Sequence, residues 1–220
     1  MHGNSPASGR RKWVAYWGTR GIFTPFKRLQ WHLEQGKIDL FTGMKKPEDR
    51  DRYALFLEPP IYTVRSVIAV RTDNQTSVEK IQDLFGRTVM VPDGAATVQY
   101  MRDTYPNITV DEGGDIFTCL NKLIRGRHNF IVYHDIGLFG AIKEKALQDQ
   151  ITILPIVLDE YPHYVAVRRS LASDMIQQLK TALIELRTNR RLETIRARYM
   201  DSGGTMEIRM SADVFSSSVS

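Results

Sequence analysis

Two cations and a histidine–aspartate pair are the residues whose types could do chemistry on a small solute. The stretch "GMKKPEDRDRYALFLEPPIY", residues 43–62, sets Lys45 and Arg50 among seven charges within a dozen positions. An arginine fork matches a carboxylate in a bidentate way, whereas a lysine offers a point charge. "VPDGAAT" places Gly94 between a strand pattern and a helix start. The first backbone N–H groups of that helix, at Ala95, Ala96 and Thr97, can receive a carboxylate or phosphate. Taken alone, the same glycine reads as an ordinary strand-to-helix turn. "VYHD" puts His134 and Asp135 at another strand end, where Asp135 is expected to cap the following helix. The catalytic inventory is otherwise thin. No G-x-S-x-G elbow, H-E-x-x-H pair, Walker loop or G-x-G-x-x-G fingerprint occurs. His32, His128, His134 and His163 are dispersed without metal-ligand spacing, so no metal and no cofactor is expected.

Composition narrows the classes further. The 220 residues are 42% hydrophobic and 25% charged, with a net charge of +5, as in an ordinary globular protein with a mild preference for anions. The densest basic run, "RTNRRLETIRAR", reads as the solvated face of a helix, and no nucleic-acid partner is expected. Cys119 is the sole cysteine, which excludes an intramolecular disulfide; its helical setting points to a buried structural thiol. No apolar run reaches the roughly 18 residues of a membrane span. Residues 1–11 lack an apolar signal core and, like the serine-rich 201–220, are expected to be loose.

The elements that must position these side chains alternate. Residues 25–36 open on Pro25 and close on Gly36, with an apolar stripe of Phe26, Leu29 and Leu33, which predicts a helix. A strand "IDLFT" follows, then the charged stretch and a longer strand "SVIAVRT". "TSVEKIQDLFG" predicts a helix capped by Thr76 or Ser77 and ended by Gly86. From "RTVMVPDG" onward, strand and helix patterns alternate through "DIGLFGAIKEKALQDQ". That β-α-β-α run argues for a largely parallel sheet covered by helices. Two further strands, "ITILPIV" and "HYVAVRR", precede a helix whose buried face is marked by Leu171, Met175, Ile176, Leu179, Leu183 and Leu186.

In order and spacing these stretches resemble the type II periplasmic solute-binding proteins of the bacterial extracellular family 3, the amino-acid branch of ABC transport. "FKRLQWHLEQGKIDLFTGMKKPEDRDRYALFLEPPIY" is similar to the family's aromatic-x-Arg helix, "L..G..D", glycine, "PER" and "F(S).PY" series. Arg50 falls on the family arginine. "DLFGRTVMVPDGAATVQYM" resembles "L.GK.V.V..GS.....Y", and "LIRGRHNFIVYHDIGLFGAI" resembles "L..GR.DA.V.D". The match spans roughly residues 23–200.

The resemblance implies an α/β fold of two lobes, with mixed, mainly parallel sheets and helices on both faces. Lobe one would be 12–67 plus 162–200, lobe two 72–157, joined by hinges at "SVIAVRT" and "LPIVLDEYPHY". It implies a ligand carboxylate clamped by Arg50, with Thr42, Gly43 and Lys45 at the adjoining strand end and Gly94 to Thr97 supplying amides. The family's ammonium-binding acid falls at His134, or at Asp135 with a one-residue shift. The family's first strand–helix unit has no clear counterpart before Phe23; Tyr16 or Trp17 could supply a stacking wall. Where the family carries hydroxyls, this chain has Ala95, Ala96 and Lys45, which shifts the expectation from an α-amino acid toward a more anionic ligand or a degenerate site.

The leading expectation is a monomeric, extracytoplasmic receptor for a small carboxylate-bearing solute, serving an ABC permease or a sensor. Two alternatives stand beside it. One is a small-acid dehydratase on the same scaffold using His134 and Asp135. The other is an interaction module with Trp13, Tyr16 and Trp17 exposed.

Overall fold

The computed structural model describes residues 24–46, 50–74 and 77–201, with side chains described through Ala197. Tyr16 and Trp17 lie outside the described residues. Helix α1, Phe26–Glu34, starts at Pro25 as the opening proline predicts and buries Leu33. Strand β1, Leu40–Met44, follows. Two 18-residue strands dominate the fold: β2, Ala54–Arg71, and β6, Ile151–Arg168. They pair antiparallel along almost their whole length, from Ala54↔Arg168 to Arg71↔Ile151. "ALFLEPPIY" and "SVIAVRT" are therefore one strand. The ladder breaks between Leu57 and Tyr62, the interval that contains Pro59 and Pro60, because a proline has no N–H to contribute.

The sheet order is β1-β6-β2-β5-β3-β4. Strands β3 (Thr88–Val91), β4 (Thr109–Glu112) and β5 (Ile131–His134) form the parallel part expected from the β-α-β pattern. Strand β5 joins β2 in antiparallel fashion, with His134 opposite Ser66. Helix α2 (Ala96–Thr104) packs on one face, and α3 (Ile116–Ile124) with α4 (Asp135–Glu144) on the other. Alternation along β2 assigns the two faces: Val67 and Ala69 enter the α3/α4 core, while Ile68 and Val70 enter the α2 core. All four are buried, as a strand covered by helices on both sides requires.

Two further cores sit at the β1 end. Leu33, Met44, Ala54 and Ala166 form the one beneath α1. The other joins Leu57, Val167 and Leu171 to Met175, Ile176, Leu179 and Leu183, the stripe of α5 (Ser173–Thr188), with Leu192 of α6 (Arg191–Asp201). Leu186 is not part of that core.

One expected helix is absent. "TSVEKIQDLFG" holds only a 3-10 turn, Ile81–Leu84. The Asp83 carboxylate accepts from the Glu79 and Lys80 amides at 2.9 and 3.1 Å. This local pairing offers the backbone an alternative to the helical ladder. Cys119 is fully buried, as its setting predicts, and burial pushes its thiol up to about 12. No helix among the described residues is long and apolar enough to cross a membrane.

Candidate functional site

The ends of β1 and β5 and the middle stretches of β2 and β6 meet the start of α2 around a cavity of about 220 Å³. Its lining divides by chemistry: the cations Lys45 and Arg50, the start of α2 at Ala95, Ala96 and Thr97, and the imidazoles of His134 and His163. Phe26, Phe41, Tyr62, Tyr133 and Tyr161 supply aromatic walls, and Thr42 and Gly43 close the β1 side.

Gly43 sits at a bulge in the β1–β6 pairing with φ of 87°, in the left-handed region. A Cβ there would meet Tyr62 Oη at 2.6 Å, so both backbone and space require glycine. The turn before α2 has φ of 70° at Gly94, which lets the chain reverse directly into the helix. Ala95 caps α2 with no side-chain bond, leaving the Ala96 and Thr97 amides without intrahelical acceptors, as any first helical turn does.

Arg50 is 4% exposed, unusually low for an arginine. Its guanidinium donates to the Lys45 carbonyl from Nη1 and to the Gly94 carbonyl from Nη2, each at 3.1 Å. It also lies over the Phe26 ring at 5.3 Å. These contacts fix its plane between the end of β1 and the α2 turn. Lys45 donates to Asp159 Oδ2 at 2.8 Å and stands 4.0 Å over the Tyr161 ring.

The imidazoles are held neutral by burial. His134 falls to about 4, and His163 to about 3 with His134 and Arg50 adding to the effect. The rings approach edge-on at 5.0 Å. His134 Nδ1 accepts from the Gly137 amide at 3.0 Å, so His134, and not Asp135, caps α4. Asp135 is the first residue of α4, and its carboxylate faces away from the cavity lining. It accepts from Arg65 N at 3.2 Å, Arg65 Nε at 3.0 Å and its neighbour Ile136 N at 2.9 Å. The cap moved by one residue because the basic ring nitrogen reaches the third amide while the carboxylate finds a cation on β2.

The polar atoms Thr97 Oγ1 and His163 Nδ1 are buried without a hydrogen-bond partner in the structure. Neither imidazole has a hydrogen-bonded carboxylate among the described residues. No cluster of metal-ligating side chains occurs among the described residues. The arrangement can hold an anion and enclose an apolar body.

Of the residues singled out by sequence, Thr42, Gly43, Lys45, Arg50, Ala95, Ala96, Thr97 and His134 line the one cavity. Gly94 contributes its carbonyl to Arg50 and lines an adjoining groove with Lys27, Gln30 and Trp31. The aromatic walls and His163 escaped sequence reasoning. The signal that could have found them is register: Tyr62 pairs directly with His163 across β2 and β6.

Residues 19–202 match the family model of bacterial extracellular solute-binding proteins, family 3. Among solved structures, holo ArgBP from T. maritima is 26% identical with a TM-score of 0.64, covering 76% of this chain and 71% of that one. AbpA, an amino acid ABC transporter substrate-binding protein from Streptococcus pneumoniae bound to L-arginine, is 16% identical with a TM-score of 0.70, covering 83% and 76%. A histidine kinase sensor domain with similarity to periplasmic binding proteins is 21% identical with a TM-score of 0.66, covering 80% and 75%. No curated protein matches at a significant level. The two-lobed α/β fold and the length of the family match agree: this chain belongs to the bacterial extracellular solute-binding proteins, family 3.

Proposed function

We propose that the cavity binds a small carboxylate-bearing solute outside the cytoplasm, without chemical conversion. The observation that carries this reading is the convergence of Arg50 and the first residues of α2 on one half-open cavity. A guanidinium fork and a helix N-terminus both favour a carboxylate, and each gains strength where water is displaced. Arg50 belongs to the segment leading into β2, and Gly94 precedes α2, so a bound carboxylate would tie the proposed lobes (12–67 plus 162–200, and 72–157) together. Bending at β2 and β6, whose 18-residue length runs from one core pair to the other, would open and close the cleft. The solute-binding neighbours support a partnership with an ABC permease; the sensor-domain neighbour supports the same module feeding a signalling partner.

Calorimetric titration with small carboxylates tests the assignment. Arg50→Ala should weaken binding by a factor of 30 or more, from the roughly 2–5 kcal/mol lost when one member of a buried charge-assisted pair is truncated. A folded Arg50→Ala protein that binds carboxylates as tightly as the wild type would refute it.

A further inference from the structure

We propose that Gln30, outside the solute cavity, is a positioning residue. With Arg50 it latches α1 to the start of α2 through the Gly94 carbonyl, and so holds the cleft closed by contacts that no solute makes. The inference rests on the bending at β2 and β6 read above, and on nothing about which solute binds.

The two bodies that must meet have separate interiors. The core beneath α1 and the core of α2 share no residue. Past the Gly94 turn, a groove of about 600 Å³ runs between the helices, lined by Lys27, Gln30, Trp31 and Glu34 from α1 and by Val98 and Gln99 from α2. Bodies joined without a common apolar core are free to move, so a few polar contacts decide whether the joint is open or shut.

Those contacts converge on one atom. The Gly94 carbonyl accepts from Arg50 Nη2 at 3.1 Å and from Gln30 Nε2 at 3.3 Å, which matches its two lone pairs. Both donors come from the β1 end of the molecule, and the acceptor belongs to the turn that starts α2. The approach is close enough to involve the backbone of α1. A Cβ at Gly94 would lie 3.2 Å from Gln30 Oε1, 3.3 Å from Lys27 Cβ and 3.5 Å from Lys27 Cα. Glycine at this position therefore serves twice: it takes the φ of 70°, and it lets α1 come against the turn. A second tie crosses the same joint. Lys45, at the end of β1, pairs with Asp159 on β6 at 2.8 Å, and its ammonium lies 5.4 Å from the centre of the Tyr100 ring on α2.

All of these partners are protein groups, so the latch forms before a solute contributes anything. Gln30 does not line the cavity. It acts on binding only through the fraction of molecules that are closed, and that fraction scales the affinity for every solute alike.

Double electron–electron resonance on the full chain, without solute, tests the latch. Spin labels at Gln178→Cys on α5 and Asn107→Cys after α2 report on the two bodies; both positions are exposed, and Cys119 is fully buried and stays unlabelled. The solute-free protein should show a population at the separation seen in this structure. Gln30→Met keeps the length of the side chain and removes the donor, and should lower the closed-to-open ratio about two- to tenfold. Arg50→Ala removes a charged donor and should lower it about tenfold or more. Gln99→Ala, in the same groove but bonded to Asp103 of its own helix, should leave the ratio unchanged. A solute-free protein confined to longer distances, an unmoved ratio in Gln30→Met, or an equal shift in Gln99→Ala overturns the proposal. The Gln30 comparison decides even where the Arg50 variant does not fold. Carboxylate binding is decided separately by the calorimetric titration, so the two readings fail independently.

Discussion

Gly43 is the position where backbone and cavity can be tested with one methyl group. Its φ of 87° costs an L-residue about 1–2 kcal/mol. A Cβ would also lie 2.6 Å from Tyr62 Oη, an overpacking penalty of about 1–3 kcal/mol. Gly43→Ala should therefore destabilise by about 2–5 kcal/mol, or about 4–20 °C in Tm for a chain of this size. The two causes separate. Beyond Tyr62 Oη the next atoms are His163 Nδ1 at 3.7 Å and Tyr62 Cζ at 3.8 Å, both ordinary contacts. Removing the hydroxyl in Tyr62→Phe should thus rescue the steric part and leave the backbone part. Thermal and urea denaturation of wild type, both single variants and the double variant form a cycle whose coupling should be about 1–3 kcal/mol. A Gly43→Ala protein within about 0.5 kcal/mol of wild type would refute the reasoning. So would strict additivity, which would mean that the ring is not where the alanine methyl needs to go.

The buried imidazoles predict acid sensitivity. Both have folded values below the usual 6.5, so the unfolded chain binds more protons and stability falls as pH drops through 6.5 toward about 4 for His134 and about 3 for His163. At pH 5 each should cost on the order of 2 kcal/mol relative to pH 8. Arg50 and Lys45 push His163 further down, while Asp135 opposes them. Urea midpoints between pH 5 and 8 should flatten in His163→Phe, and in His134→Asn, which keeps a capping acceptor; an unchanged slope in both variants would count against buried neutral rings. Asp135→Asn should lower stability by about 3 kcal/mol or more, because its carboxylate is 2% exposed and Arg65 would lose its counter-charge. A melting temperature equal to that of wild type would show that Arg65 relocates to water.

What the sequence made legible is local in origin. Periodicity placed α1, α3, α5 and the parallel strands because each element's buried face is written within its own residues. Gly94 and Arg50 were legible for a related reason: a strand-to-helix turn needs glycine, and an arginine at a fixed spacing repeats across a family. The helix expected at 76–86 failed where a side chain outcompeted the ladder, and period-3.6 reasoning has no term for Asp83 accepting two amides. The cap at α4 failed by one residue because His134 and Asp135 are both competent acceptors. The choice between them was made by Arg65 on β2, 70 positions away in sequence.

The same distinction explains why the ligand class could not be read from residue types. Lys45 and Asp159 are 114 positions apart, and each alone suggests the opposite sign of ligand charge. Once the β1–β6 pairing brings the end of β1 beside β6, the two charges meet at 2.8 Å and cancel. His163 was similarly hidden: as one of several scattered histidines it carried no meaning, yet opposite Tyr62 it becomes a wall of the cavity. Binding chemistry in this fold is a property of pairs joined by register. A substitution that slides that register, by altering the Pro59–Pro60 break, should change ligand preference without touching a lining residue.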